Sequence, residues 1–170
     1  MVRKNPSRRE EREDAFKSVY AFTSGGALEP PQSPWANGIV EGVMTDPAYW
    51  DSLFVGLLSS NWPLERVALT DRACLRMAAY ELWSLSDIPP LVTIKEYVAL
   101  AEKFGDKVSA QFVNGVLSKL WKASPKAEWA PPKATAQESQ AREQVQQRAQ
   151  IEEPKLEPKR KTAWQIKSGK

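Results

Sequence analysis

A chain of 170 residues has room for one domain of about 100–150 residues and a tail. It contains no histidine, which excludes Ser-His-Asp and Cys-His catalysis and every His-based zinc site. A single cysteine excludes an intrachain disulfide and a CxxC motif, and fits a reducing cytoplasm. Lys and Arg number 24 against 21 Asp and Glu, formally +3, so the placement of charge says more than its sum.

Ser7-Arg8-Arg9-Glu10 has the spacing of a capping box and predicts a helix from about Arg8 to Thr23, ended by Gly25-Gly26. Ala15, Val19 and Phe22 make its apolar stripe, while Arg8, Arg12, Phe16 and Tyr20 lie four apart on a neighbouring face. A loop rich in proline follows, then a short helix from about Pro34 to Met44. Thr45-Asp46-Pro47 restarts a helix carrying Trp50, Leu53, Phe54, Leu57 and Leu58, broken by Asn61-Trp62-Pro63. Leu64 to Leu69 reads as one short turn. Thr70 is the expected cap of a central helix from Asp71 to about Leu85, with Cys74, Leu75, Met77, Ala78 and Leu82 inside. Thr93 to Glu96 reads as a second capping box, heading a helix that Gly105 stops. Asp106 opens the last helix, whose inner face is Phe112, Val113, Val116, Leu117 and Leu120.

No stretch alternates with period two for long enough to be a strand, so residues 1–121 read as an all-α domain of six or seven helices. Residues 122–170 carry eleven basic and six acidic residues, net +5, with five prolines and few large apolar side chains. They read as a disordered basic tail. No run of about 18 apolar residues predicts a membrane span, and the basic start has no apolar stretch behind it, so it is not a secretory signal.

Enzyme motifs are missing from the sequence: no P-loop, no GxGxxG after a strand, and no carboxylate pair set apart from ordinary polar faces. The positive signal is the start of the chain. Arg3, Lys4, Arg8, Arg9 and Arg12 can pair with phosphates, and Phe16 and Tyr20 can stack on bases. The alternative is a solvated helix start with Phe16 in the core, and Glu10, Glu11, Glu13 and Asp14 favour it. Lys159 to Lys167, a basic cluster around Trp164, is either a docking segment or a solubilising tail.

Leu69-Thr70-Asp71-Arg72-Ala73-Cys74-Leu75-Arg76-Met77-Ala78-Ala79-Tyr80-Glu81-Leu82 resembles the "DRAILRLAAYEL" helix of the NusB family of bacterial transcription antitermination factors. Ile88-Pro89 through Val92-Thr93-Ile94-Lys95-Glu96, Phe104-Gly105, and Phe112 through Lys119 resemble that family's next blocks, in order. Residues 7–121 carry the resemblance, weakly across 27–66; the tail has no counterpart. The resemblance implies two packed three-helix bundles, about 8–62 and 63–121. It also implies a cytoplasmic, non-catalytic adaptor without a cofactor. Such an adaptor pairs with NusE, a small-subunit ribosomal protein, and binds the boxA element of ribosomal RNA leader transcripts. It serves the RNA polymerase antitermination complex, and homodimers are described in the family.

Carried over position by position, the resemblance implies RNA contacts from Lys4, Arg8, Arg9, Arg12, Tyr20, Phe104, Gly105 and Phe112, and NusE contacts from Asp71 and Val108. Glu10, Lys95, Val108 and Ser118 depart from the family pattern. The competing expectation is a helical protein–protein interaction module whose basic tail attracts RNA without sequence preference. A cytosine methyltransferase, which can carry such a domain, would need a second domain that this chain has no motif for.

Overall fold

The computed structural model describes residues 6–27 and 29–129. Among them are six α-helices, one 3-10 turn and no strand. In chain order these are α1 (Arg8–Thr23), α2 (Pro34–Thr45), α3 (Pro47–Val55), the 3-10 turn (Leu64–Arg66), α4 (Leu69–Ser84), α5 (Pro90–Phe104) and α6 (Lys107–Ala123). None is long and apolar enough to cross a membrane.

Local chemistry sets most of these boundaries. The Ser7–Glu10 capping box is formed in both directions, and Gly25 just past α1 takes a φ of 84°, a left-handed turn that suits glycine. Ser33 caps α2, Asp46 caps α3 and Asp106 caps α6 through their side-chain oxygens. Proline stands in the first turn of α2, α3 and α5, where a missing N–H costs nothing.

Three boundaries differ from expectation. Thr70 is not a cap: α4 starts at Leu69 behind Ala68, with no side-chain cap bond. Thr93 to Glu96 is not a capping box, because Pro90 starts α5 three residues earlier and leaves Thr93 buried in the helix. Gly56 ends α3 before Leu57 and Leu58, which follow as half-buried turn residues.

Helix α4 is the axis, packing against all five other helices. It buries Ala73, Cys74, Leu75, Met77, Ala78, Ala79 and Leu82, so α1–α3 gather on one side and α5–α6 close the other. Phe16, Ile39, Phe54, Leu75, Leu82, Tyr97 and Leu117 are its largest neighbours or members in one continuous core. Cys74 is a fully buried core residue whose thiol is pushed up by desolvation. At Gly42 the α2 backbone comes so close to α4 that an added Cβ would lie 2.0 Å from the Tyr80 ring. Trp50 seals that crossing, donating its indole N–H to the Gly42 carbonyl at 3.0 Å and meeting Tyr80 edge to face.

Two buried ion-pair centres tie the helices. Asp51 of α3 accepts from Arg76 at 2.8 and 2.7 Å and from Arg72 at 3.2 and 2.6 Å. Burial alone would push the Asp51 carboxyl up, but the two guanidiniums hold it below its ordinary range. Arg76 also reaches Thr23 at the end of α1. The second centre is Glu81, described below. Beyond α6, Lys126 folds back: its buried ammonium donates to the carbonyls of Glu81 at 3.0 Å, Ile88 at 2.8 Å and Leu85. These are groups at the C-terminal end of α4 and in the loop after it, and Trp121 holds the return by bonding the Lys126 carbonyl.

Candidate nucleic-acid interface

Helix α1 presents its arginines in succession, and the packing sorts them. Arg8 and Arg9 keep 61% and 63% of their side chains exposed, whereas Arg12 keeps 4%. Arg12 is therefore a residue of the interior, against the expectation that it shares an open face with Arg8 and Tyr20. Its Nε and Nη2 grip both oxygens of Glu81 at 3.0 and 2.8 Å. Glu81, with no exposure, also accepts from Thr93 at 2.7 Å and Tyr97 at 3.1 Å. One carboxylate thus joins α1, α4 and α5. The physical reason is the width of the buried arc on α1: α2 and α4 pack on it and α5 reaches it through side chains. For the same reason Phe16 is core, and Phe22, assigned to the apolar stripe, is 45% exposed.

Arg8 and Arg9 are exposed but not idle. Arg8 pairs with Glu11 at 2.8 Å and lies over Trp35, 4.5 Å from the ring centroid. Arg9 forks onto Glu96 of α5 at 3.0 and 2.8 Å, and the hydrogen bond with Arg9 is what chiefly pulls the Glu96 carboxyl down. Thr93 and Glu96 thus hold partners on α1 and α4 rather than capping their own helix. Both guanidiniums keep most of their surface in water, where screening weakens the pairing, so a phosphate can compete for either.

Tyr20 is 37% exposed and stacks on Phe16 at 6.0 Å, and Phe16 stacks on Phe104 at 4.7 Å. The structure thereby joins Tyr20 and Phe104, from two ends of the sequence, through a buried ring. Gly105 turns the chain after Phe104 at a point where a Cβ would sit 2.7 Å from the Ser109 hydroxyl. Phe112 is not part of this cluster; it lines a groove with Leu57, Leu58 and Trp62. Lys4 lies outside the described residues.

Asp71 and Val108 come together where α4 and α6 begin. Val108 is 71% exposed, and its neighbour Ser109 acts on the Asp71 carboxyl, partly opposing the upward shift of its pKa. Asp71 is buried, its Oδ1 has no partner among the described residues, and desolvation pushes its pKa up. Leu69, 40% exposed, adds an apolar edge to the same end of the fold. Sequence reasoning missed Glu81, Trp35 and Glu96 as partners of the arginines. Glu81 was legible only as a polar residue inside an otherwise covered helix. Among the described residues, no cluster of His, Cys, Asp and Glu could hold a metal ion.

The NusB family profile matches residues 2–122. The transcription antitermination protein NusB of Bacillus thuringiensis (strain Al Hakam) is 36% identical over 126 residues, spanning 66% of this chain and 95% of the relative. The same protein of Bacillus cereus (strain B4264) matches to the same extent. Among solved structures, T. maritima NusB superposes with a TM-score of 0.66 at 30% identity, covering 74% of this chain and 99% of that one. With the family profile spanning residues 2–122, a relative at 36% identity and a fold that superposes on a NusB structure, the chain belongs to the NusB family of transcription antitermination factors.

Proposed function

We propose that the protein is an RNA-binding adaptor of the cytoplasmic antitermination machinery. In this reading it pairs with NusE, binds the boxA element of ribosomal RNA leader transcripts, and helps RNA polymerase pass terminators during ribosomal RNA synthesis. The observation that carries the reading is the pair of largely exposed guanidiniums, Arg8 and Arg9, on the first turn of α1 in a NusB-family chain. Arg9 is held by its ion pair with Glu96, Arg8 by its pair with Glu11 and by the Trp35 ring, and a helix N-terminus favours phosphate. Tyr20 and Phe104 supply ring faces further along, and Asp71 with Val108 supplies the surface for NusE. The reading contains no catalytic step.

The experiment is binding of a boxA RNA and a scrambled control, each with and without NusE, at two salt concentrations. Preference for boxA that strengthens with NusE supports the reading. Equal, strongly salt-sensitive binding to both, unmoved by NusE, overturns it. Arg9→Ala should lower affinity and flatten the log–log salt dependence by about 0.7, one phosphate on single-stranded RNA. Tyr20→Ala should lower affinity with the slope unchanged.

A second reading, a protein-docking module with only general RNA attraction, is favoured by one observation. Arg8, Arg9 and Arg12 are all paired to carboxylates, while the buried Asp71 Oδ1 has no partner among the described residues. Tight NusE binding without boxA preference would select it.

A further inference from the structure

The C-terminal end of α4 carries chemistry that neither reading above uses. Three backbone carbonyls, those of Glu81, Leu85 and Ile88, converge there on one point, and the Lys126 ammonium occupies it. Local sequence creates this cradle. Helix α4 stops at Ser84, and Ser86-Asp87-Ile88 forms a turn. A continuing helix would give the Leu85 carbonyl the N–H of residue 89, but residues 89 and 90 are prolines, which have none. The Leu85 carbonyl keeps a long bond from the Ile88 N–H at 3.4 Å, and the Glu81 carbonyl one from the Leu85 N–H at 3.3 Å. A carbonyl oxygen has two lone pairs, so both retain room for a second partner.

Three features define what the cradle reads. Its ligands are neutral: the three N–H groups of the ammonium meet three carbonyl oxygens, while the Glu81 carboxylate faces Arg12, Thr93 and Tyr97 instead. Its field is negative, because the carbonyl end of a helix favours a cation. Burial pushes the Lys126 pKa down, and the Glu81 and Asp87 carboxylates oppose that push. It is also shielded, with Lys126 only 6% exposed. Carbonyl oxygens that replace a hydration shell hold bare monovalent cations. The contacts at 3.0 and 2.8 Å are too long for a divalent ion, since Mg²⁺ needs about 2.0–2.1 Å and Ca²⁺ about 2.3–2.6 Å.

We propose that the C-terminal end of α4 is a binding site for a monovalent cation of ammonium or potassium size, which the chain fills from within by Lys126. The return that brings Lys126 is itself fixed. Trp121 donates to the Lys126 carbonyl at 2.9 Å, and the Lys126 N–H donates to the Ser124 hydroxyl at 3.2 Å. Tethering makes the ammonium's binding intramolecular, so free salt competes poorly with it. Once the ammonium is withdrawn, the three carbonyls are left for a free cation. The site stands independently of the RNA-binding reading.

The test is thermal unfolding of the full chain and of its Lys126→Met variant in potassium, ammonium or choline chloride at one matched ionic strength. Methionine keeps the apolar stem and ends before the ammonium's place, and choline is too large for the cradle. In choline chloride the variant should melt roughly 5–15 °C below wild type, the loss for buried carbonyls left without a donor. Potassium or ammonium chloride should return roughly 3–8 °C of that loss, while the wild type melts alike in all three salts. Recovery in either salt supports the site, and recovery in ammonium alone supports it as a hydrogen-bonding one. A variant that matches wild type in choline chloride, or melts alike in the three salts, overturns the proposal. So does a wild type that shifts between salts as much as the variant. If Lys126→Met does not fold in choline chloride, refolding followed by circular dichroism decides: recovery in potassium or ammonium chloride supports the site, and failure in both overturns it.

Discussion

Replacing Arg12 with alanine should cost the fold, and the size of the loss follows from what it leaves behind. Arg12 and Glu81 side chains are 4% and 0% exposed, joined by two hydrogen bonds of 3.0 and 2.8 Å. Without the guanidinium, the Glu81 carboxylate stays in the core with two neutral donors, Thr93 and Tyr97. Removing one partner of a buried pair costs about 3–5 kcal/mol. For a folded region of this size, that corresponds to a fall in Tm of roughly 10–20 °C. Arg12→Met with Glu81→Leu removes both charges and should recover most of the loss, since a well-packed apolar replacement is often neutral or better. Urea unfolding followed by far-UV circular dichroism and tryptophan fluorescence measures each corner of this cycle. A single Arg12→Ala loss below about 1 kcal/mol would refute the reasoning, as would a double variant no better than the sum of its parts. The outcome also governs how RNA binding is read: weakened binding by an Arg12 variant reports unfolding unless the chain is shown to be folded at the assay temperature.

Gly42→Ala should destabilise the fold by about 1–3 kcal/mol in urea unfolding, the usual range for overpacking, because its Cβ would enter the Tyr80 ring; an unchanged midpoint would contradict the close crossing. Asp51 has a depressed folded pKa, so its contribution is present above the unfolded value of about 3.9 and is lost as pH falls through the folded value. Stability should therefore drop in acid, and Asp51→Asn, already weaker at pH 7, should show a flatter profile below pH 5 or so. Asp71 has the opposite sign: its raised pKa means that stability falls as pH rises from about 3.9 through the folded value. Asp71→Asn should leave the Tm at pH 7 equal or higher while weakening NusE binding; a lower Tm with unchanged NusE binding would remove Asp71 from that surface.

Where a helix begins and ends was largely legible, because caps and breakers act within a few residues. Ser7 with Glu10, Pro34, Asp46, Asp106 and the Gly25 turn all stand at observed boundaries. Thr70 and Thr93 misled because proline and packing moved the starts of α4 and α5 upstream. The centrality of α4 could be read from its nearly continuous apolar cover, and the family from motifs on α4, α5 and α6. What could not be read was which charges point inward. Arg12 and Glu81 are 69 positions apart, and a helical wheel shows each as one polar residue in a mostly apolar stripe. Only their joint burial turns two apparent surface charges into a core pair. The same distance hid Arg9 from Glu96, 87 positions away. The aromatic cluster was half legible: Phe16 and Tyr20 share a helix, but Phe104 joins them only through the packing of α5 beside α1.

The reach of Lys126 has a consequence for how the chain is made. Its ammonium completes carbonyls at the end of α4, including that of Leu85, 41 positions earlier in the chain. On a ribosome adding residues at about 5–20 per second, those carbonyls wait roughly 2–8 s for the group that finally covers them. Helix α4 can pack with α1–α3 in that interval, but its far end stays hydrated. That cover is thus supplied by a residue that emerges after α6. A nascent chain halted at residue 121 would carry α1–α5 and nearly all of α6 and still lack its clasp.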